Sequence, residues 1–179
     1  MQRFSVVASQ LLSDPAAFRA NARAPLLLWE AGPLTTTVPR WATDPGSGRP
    51  RPSLKDPVLV EVRKRAFKNN GFGLGITVGR TANNDVQLDD PTISRFHAYF
   101  KADPSGLFQV VDVESQNGTF LGGHRLAPGK PAPLFGPAEI RFGDVALTFF
   151  ALDAFEAYVR AKQRDVAALD GLRKPRGRA

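Results

Sequence analysis

The chain of 179 residues contains no cysteine, which excludes disulfide bonds, cysteine-ligated zinc sites and thiol catalysis. Histidine is scarce too, because His97 and His124 are the only two and a metal centre needs several ligands. No apolar run approaches the roughly 18 residues of a membrane-spanning helix. The N-terminal stretch MQRFSVVASQLLSDP makes a poor signal peptide, since Ser9 and Gln10 interrupt its apolar run. These features predict a cytoplasmic protein with no metal, no cofactor and no membrane span.

Positive charge and turn-forming residues, in contrast, are abundant. The chain has 24 Lys and Arg against 17 Asp and Glu, a formal charge of +7. That balance favours an anionic partner, which could be nucleic acid, a phosphoprotein or a membrane surface. The 15 prolines and 16 glycines indicate many turns, and the length suits one domain with extensions.

The first third of the chain divides into two segments. Residues 1–30 are expected to form a small helical extension, because Ser13-Asp14-Pro15 is a typical helix start. The apolar run LLLWE at 26–30 is compatible with either a strand or a packed helix end. Residues 31–56 are rich in Pro, Gly and Ser, and this composition predicts a linker.

Residues 57–152 have the pattern of a β-sandwich. In VLVEVRK the side chains of Val58, Val60 and Val62 share one face, as in a half-buried strand. Further short apolar runs follow at 76–79, 86–88, 98–102, 107–113, 119–121, 139–142 and 145–152, separated by turn signals. Many short strands without intervening helices predict an all-β, two-sheet sandwich.

The pattern changes again over residues 153–179. Leu152, Phe155 and Val159 recur at helical spacing among charged residues, which predicts an amphipathic helix over 153–170. Its apolar stripe requires a surface, so Phe155 and Val159 are expected to be buried against the sandwich or a partner. The tail LRKPRGRA is basic.

Three polar motifs interrupt the strands. Gly79-Arg80 ends a strand, and an arginine there can fork two N–H groups onto a phosphate or carboxylate. In Ser94-Arg95-Phe96-His97 the serine hydroxyl can donate to a phosphate and the arginine adds charge, whereas His97 lacks the nucleophile and acid that catalysis needs. The stretch VESQNGTFL at 113–121 contains the tight-turn signal Asn117-Gly118 and is expected to display the side chains of residues 115–117.

Taken in order, Gly-Arg, Ser-Arg-x-His and Ser-x-Asn-Gly-Thr inside a β-only segment resemble the forkhead-associated (FHA) domain, over roughly residues 57–151. The stretch LFGPAEIRFGDVALTF also resembles that family's closing strands. The resemblance implies a non-catalytic sandwich whose loops at one end bind phosphothreonine peptides. It assigns phosphate contacts to Arg80 and Ser94, and a further contact with phosphate or peptide to Arg95. Asn117 would hold the peptide main chain, His97 would brace the loops, and Gly79, Gly118 and Thr119 would shape them. Gln116 replaces a threonine that the family often has, and its amide can still reach a phosphate.

Three functions therefore follow as hypotheses. The leading one is a phosphothreonine-binding adaptor that acts downstream of Ser/Thr protein kinases. The alternatives are nucleic-acid binding through Arg63, Lys64, Arg65, Lys68 and the Arg173–Arg178 tail, or a phosphate-independent scaffold that docks through its helices. An enzyme is not expected, because no carboxylate pair, nucleophile–base set or Walker-type loop is present.

Overall fold

The structure, a computed structural model, describes residues 1–22, 24–30, 57–65 and 75–173, with side chains as far as residue 165. The helices are α1 (Phe4–Ser13), α2 (Pro15–Asn21) and α3 (Leu152–Arg173). The strands are β1 (Gln2–Arg3), β2 (Leu26–Trp29), β3 (Val58–Glu61), β4 (Ile76–Gly79), β5 (Val86–Gln87), β6 (Ala98–Ala102), β7 (Phe108–Asp112), β8 (Thr119–Leu121), β9 (His124–Arg125), β10 (Ala132–Pro133), β11 (Ala138–Phe142) and β12 (Val145–Phe150). The predicted linker 31–56, the basic stretch 66–74 and the end of the basic tail, 174–179, lie outside the described residues.

The strands form two sheets. One has seven strands in the order β1-β3-β2-β12-β11-β8-β9, and the other has five in the order β10-β7-β6-β4-β5. Neighbouring strands pair antiparallel except β4 and β5, which are parallel. The predicted all-β sandwich is confirmed, with most strand bounds within one or two residues of the apolar runs.

The space between the sheets is filled by side chains that alternate along the strands. Val60 and Val62 are buried there and Val58 packs against them, as the period-two pattern predicts. Phe100 is at the centre, with ring centroids 6.2 Å from Phe142 and 6.0 Å from Phe149. This apolar core fixes the ends of the strands, from which the polar loops project.

The run at 26–30 is a sandwich strand and not part of a separate helical extension. β2 lies between β3 and β12, with Leu27 paired to Val60 on one side and to Phe149 on the other. Leu27 faces the inter-sheet core, whereas Leu26 and Leu28 face the helices. A strand buried on both faces has apolar residues on both, so the alternation of apolar and polar residues that identifies a half-buried strand is absent here. The sandwich therefore begins before residue 57.

The helices form a third layer on the outer face of the seven-stranded sheet. Phe155 and Val159 of α3 are buried in one cluster with residues of α1, β2, β3 and β12, which confirms their predicted burial and identifies the sandwich as the surface. Arg19 of α2 forks onto Glu156 of α3 at 2.8 Å from each carboxylate oxygen. Among the described residues, no helix is long and apolar enough to cross a membrane.

Candidate functional site

Three loops meet at one end of the sandwich: the first covers residues 80–85, the second 88–97 and the third 113–118. Gly79, at the end of β4, brings the first two together. A Cβ at this position would collide with the carbonyl oxygen of Arg95 and lie 2.7 Å from the Asn84 side-chain nitrogen. Only glycine therefore lets the 94–97 loop close onto the end of β4. The Arg80 amide donates to the Ser94 carbonyl at 3.1 Å, so the first two motifs are adjacent in space.

A polar frame holds the backbone beneath Arg80 and Arg95. The carbonyl of Arg95 accepts from Asn84 Nδ2 at 2.7 Å and from Thr81 Oγ1 at 2.9 Å. Asn84 is buried, and it also donates to the Thr81 carbonyl at 3.0 Å. Short Asn and Thr side chains are typical loop-fixing residues, but nothing in TANND identifies a carbonyl eleven residues away as the partner.

His97 joins the second loop to the third. Its ring is fully buried, Nδ1 accepts from the Ser94 amide at 3.0 Å, and Nε2 donates to the Gly118 carbonyl at 3.2 Å. These two bonds require the neutral ring with its proton on Nε2. Burial lowers the pKa of His97, and this outweighs the Gly118 bond and the Asp112 charge, which raise it. The geometry is that of a brace, as the resemblance implies, and the bracing role stays a prediction.

Asp112 anchors the third loop. Its carboxylate accepts from the Ser115 and Thr119 hydroxyls at 2.6 Å each and from the Ser115 amide at 3.0 Å. Burial raises the pKa of Asp112, but these hydrogen bonds hold it below its ordinary 3.8. Ser115 therefore turns inward and is buried, so the expectation that it is displayed at the surface is wrong. Nothing in the sequence singled out Asp112, because its partners are set by the turn that follows it.

Gln116 and Asn117 tie the third loop to the second. The backbone N–H of Gln116 donates to Ser94 Oγ at 3.1 Å, which leaves the serine hydroxyl proton free to donate. Asn117 Nδ2 donates to the Thr92 carbonyl at 2.7 Å, and its second N–H and its oxygen remain for a peptide main chain. Both side chains belong to exposed residues at the same end of the sandwich as Arg80.

The resulting surface is cationic. Arg80 and Arg95 are exposed, and within the described part of the chain no hydrogen bond or ion pair involves either guanidinium. Some other basic side chains are paired with carboxylates, for example Arg19 and Arg160 with Glu156. Over the described ranges, no group of three or more His, Asp or Glu residues could hold a metal ion. Two guanidinium groups beside a serine hydroxyl are suited to an anion.

Comparison with known proteins gives the same family. The FHA domain model matches residues 76–143. The chain is 41% identical over 73 residues to the glycogen accumulation regulator GarA of Mycolicibacterium smegmatis, a match that covers 41% of this chain and 44% of the relative. It is also 41% identical over 75 residues to the oxoglutarate dehydrogenase inhibitor of Corynebacterium efficiens, covering 42% and 50% of the two chains. The match thus spans about half the length of these curated relatives.

A solved structure supports the fold. The N-terminal FHA domain of Saccharomyces cerevisiae Rad53p, in complex with a phosphothreonine peptide, superimposes with a TM-score of 0.50. The likeness covers 75% of this chain and 98% of that one at 17% identity. Every residue assigned to the site, from Gly79 to Thr119, lies within the family match of 76–143. Residues 76–143 of this chain therefore match the forkhead-associated (FHA) domain family, in the part of the sandwich that carries the three loops.

Proposed function

We propose that this protein is a regulatory module that binds phosphothreonine peptides and acts downstream of Ser/Thr protein kinases, without catalytic activity of its own. The two curated relatives described above are named as a regulator and an inhibitor, and the yeast domain of the same fold is solved with a phosphothreonine peptide. A cytoplasmic location, where such kinases meet their substrates, belongs to this proposal.

The observation that carries the proposal is that three possible anion donors lie on adjoining backbone, because the Arg80 amide is bonded to the Ser94 carbonyl and Arg95 directly follows Ser94. Ser94 presents a hydroxyl proton, and Arg80 and Arg95 flank it with exposed guanidinium groups that have no partner in the described part of the chain. A phosphate monoester carries a charge of about −1.5 to −2 and three acceptor oxygens near neutral pH. Charge-assisted bonds from guanidinium to phosphate are short and about twice as strong as neutral ones.

The loops supply preorganisation. Arg80 is joined to Ser94 through the backbone, Ser94 to Gln116 through its hydroxyl oxygen, and both loops to His97. A ligand therefore meets a site whose order has already been established by folding, so less conformational entropy is lost on binding. Asn117 lies beside this cluster and can hold the main chain of the bound peptide.

The nucleic-acid alternative is less well supported, because part of its basic surface is already engaged. Lys64 donates to the Gly75 carbonyl at 2.6 Å and lies 3.3 Å from the buried carboxylate of Asp85. Arg63 is 3.1 Å from Glu61. Lys68 and the end of the tail lie outside the described residues. The engaged side chains fix the chain locally and are less available to phosphates of a nucleic-acid backbone.

The test is titration calorimetry with a phosphothreonine peptide library and matched unphosphorylated peptides. Arg80→Ala should remove most of the affinity, since losing one partner of a desolvated charge pair costs about 2–5 kcal/mol. Arg164→Ala is the matched control, because it removes the same charge from the exposed face of α3. Both variants should have a free energy of unfolding within about 0.5 kcal/mol of the parent protein, as is usual for exposed substitutions.

Equal affinity of Arg80→Ala and the parent protein would contradict the proposed site. Binding of unphosphorylated partner with the same affinity would favour the scaffold alternative. A steep dependence of DNA affinity on salt, unchanged by Arg80→Ala, would favour the nucleic-acid alternative.

A further inference from the structure

Arg125 lies beside the site although none of the three motifs contains it. It belongs to β9, where it pairs with Phe120 of β8 at the edge of the seven-stranded sheet. A Cβ on Gly118 would lie 2.6 Å from Nε of Arg125 and 3.1 Å from Cζ and from one terminal nitrogen. The guanidinium of Arg125 is thus packed directly against the backbone of Gly118, the last residue of the third loop.

This guanidinium packs against Gly118 but has no hydrogen-bonding or charged partner among the described residues. Gly118 has a φ of +82°, so a side chain is disfavoured there and the space above its backbone is left to the arginine. Arg125 is exposed, and no hydrogen bond or ion pair to it is formed by the residues that the structure describes. All five of its N–H donors can therefore be offered to a ligand.

The other arginine on this side of the sheet is already occupied. Arg141 of β11 pairs with Phe120 from the opposite strand, and its guanidinium lies 3.6 Å from the centre of the Phe120 ring. It also donates to the carbonyl of Gly143. The helix layer packs on β2, β3 and β12, and the residues of its cluster include none from β8 or β9. Arg125 is thus a cation that remains available next to the third loop.

Arg125 is linked to the phosphate site through a few successive contacts, which begin with its packing on Gly118. Gly118 directly follows Asn117, and Gln116 is bonded to Ser94 at the phosphate position. An extended peptide advances about 3.3–3.6 Å per residue, so a chain that passes Asn117 comes near Arg125 within about two to four residues of the phosphothreonine. At that distance a second anionic group of the same peptide can be reached.

We propose that Arg125 is a specificity-determining residue that selects phosphopeptides with an aspartate or glutamate about two to four residues from the phosphothreonine. The inference rests on the proposed function, and it adds the chemistry of the neighbouring peptide side chain. A planar guanidinium that packs against backbone can donate two parallel hydrogen bonds to a carboxylate. Lysine or arginine at the same peptide position would be repelled.

The experiment is an acidic scan of one phosphothreonine peptide. A single aspartate is placed at each of four positions on either side of the phosphothreonine in an alanine background, and each affinity is measured by calorimetry. We expect the parent protein to prefer aspartate at one or two positions by about two- to fivefold, the range of an exposed ion pair. Arg125→Gln should abolish that preference, Arg125→Lys should retain part of it, and Arg125→Glu should transfer it to a lysine at the same position.

Arg164→Gln is the charge-matched control, and it should leave the acidic preference unchanged. Melting curves of the Arg125 variants separate a loss of specificity from a loss of fold. If no peptide containing phosphothreonine binds the parent protein, the proposed function fails. If the peptides bind but the scan is flat, or if Arg125→Gln keeps the preference, only the inference about Arg125 fails.

Discussion

Removing the His97 ring should destabilise the sandwich and loosen two of the loops that form the site. In His97→Ala the Ser94 amide loses its acceptor, and the Gly118 carbonyl keeps only the bond from the Gly143 amide at 3.1 Å. Each lost bond is worth about 1 kcal/mol, and a buried donor left without a partner costs about 1–3 kcal/mol. The ring also packs edge-on against Phe142 at 5.6 Å. We expect a loss of about 3 kcal/mol, or about 6–12 °C in melting temperature for a chain of this size.

The two bonds can be separated by substitution. Asparagine can place its oxygen near the position of Nδ1 and accept from the Ser94 amide, whereas glutamine can place its amide near Nε2 and donate to Gly118. His97→Asn and His97→Gln should therefore each lose less stability than His97→Ala, as measured by urea denaturation. His124→Ala is the matched control, because that histidine is exposed and its removal should change stability by less than about 0.5 kcal/mol.

The pH dependence of the same variant follows from the lowered pKa of His97. Burial keeps the folded pKa below the ordinary value of 6.5, so below that pH the unfolded chain binds a proton that the folded chain does not. The stabilisation from neutral His97 is thus fully present above pH 6.5 and is lost as pH falls through the folded pKa. The gap in stability between parent and His97→Ala should shrink between about pH 7.5 and about pH 5.5. A variant that melts like the parent, or a gap that widens on acidification, would refute the bracing role.

Three further predictions concern the loop, the helix layer and the ligand. Glu114 has a φ of +58°, a conformation that glycine adopts more easily, so Glu114→Gly should raise the free energy of unfolding by about 1 kcal/mol in urea denaturation. Gln116→Gly, at a residue without positive φ, should lower it. Phe155→Ala should lower the free energy of unfolding by about 3–5 kcal/mol, because the ring is fully buried. Arg164→Ala, on the exposed side of α3, should change it little. Equal losses of stability in the two variants would contradict the packing of α3 on the sandwich. Phosphothreonine should bind at least about fourfold more tightly than phosphoserine in matched titrations, since burying one methyl group is worth about 0.8 kcal/mol, and parity would exclude a methyl pocket.

Local sequence pattern was sufficient to predict most strands of the sandwich and the strand ends at which the candidate site residues lie. Strands such as Ala98–Ala102 and Thr119–Leu121 coincide with their apolar runs. A half-buried strand has one face in the core and one towards solvent, so its apolar and polar residues alternate. The candidate site residues are predicted from the order of Gly79-Arg80, Ser94-Arg95-x-His97 and Asn117-Gly118, because this order resembles the FHA family and these polar types recur where strands end. Capping of α2 by Asp14, which accepts from the Ala17 amide at 2.9 Å, is equally local.

Contacts between distant segments were decided only by the tertiary structure. Leu26–Trp29 is a central strand because β3 and β12 pair with it from both sides, and a doubly buried run carries no period that would indicate this. The inward turn of Ser115 depends on the buried carboxylate of Asp112, and the availability of Arg125 depends on its packing over Gly118. Residue types and spacing determine which side chains lie at strand ends, because the ends of a strand are set by the pattern of neighbouring residues in the sequence. Which of those side chains remain unpaired is determined by partners far away in the sequence, and this decides what the site can bind.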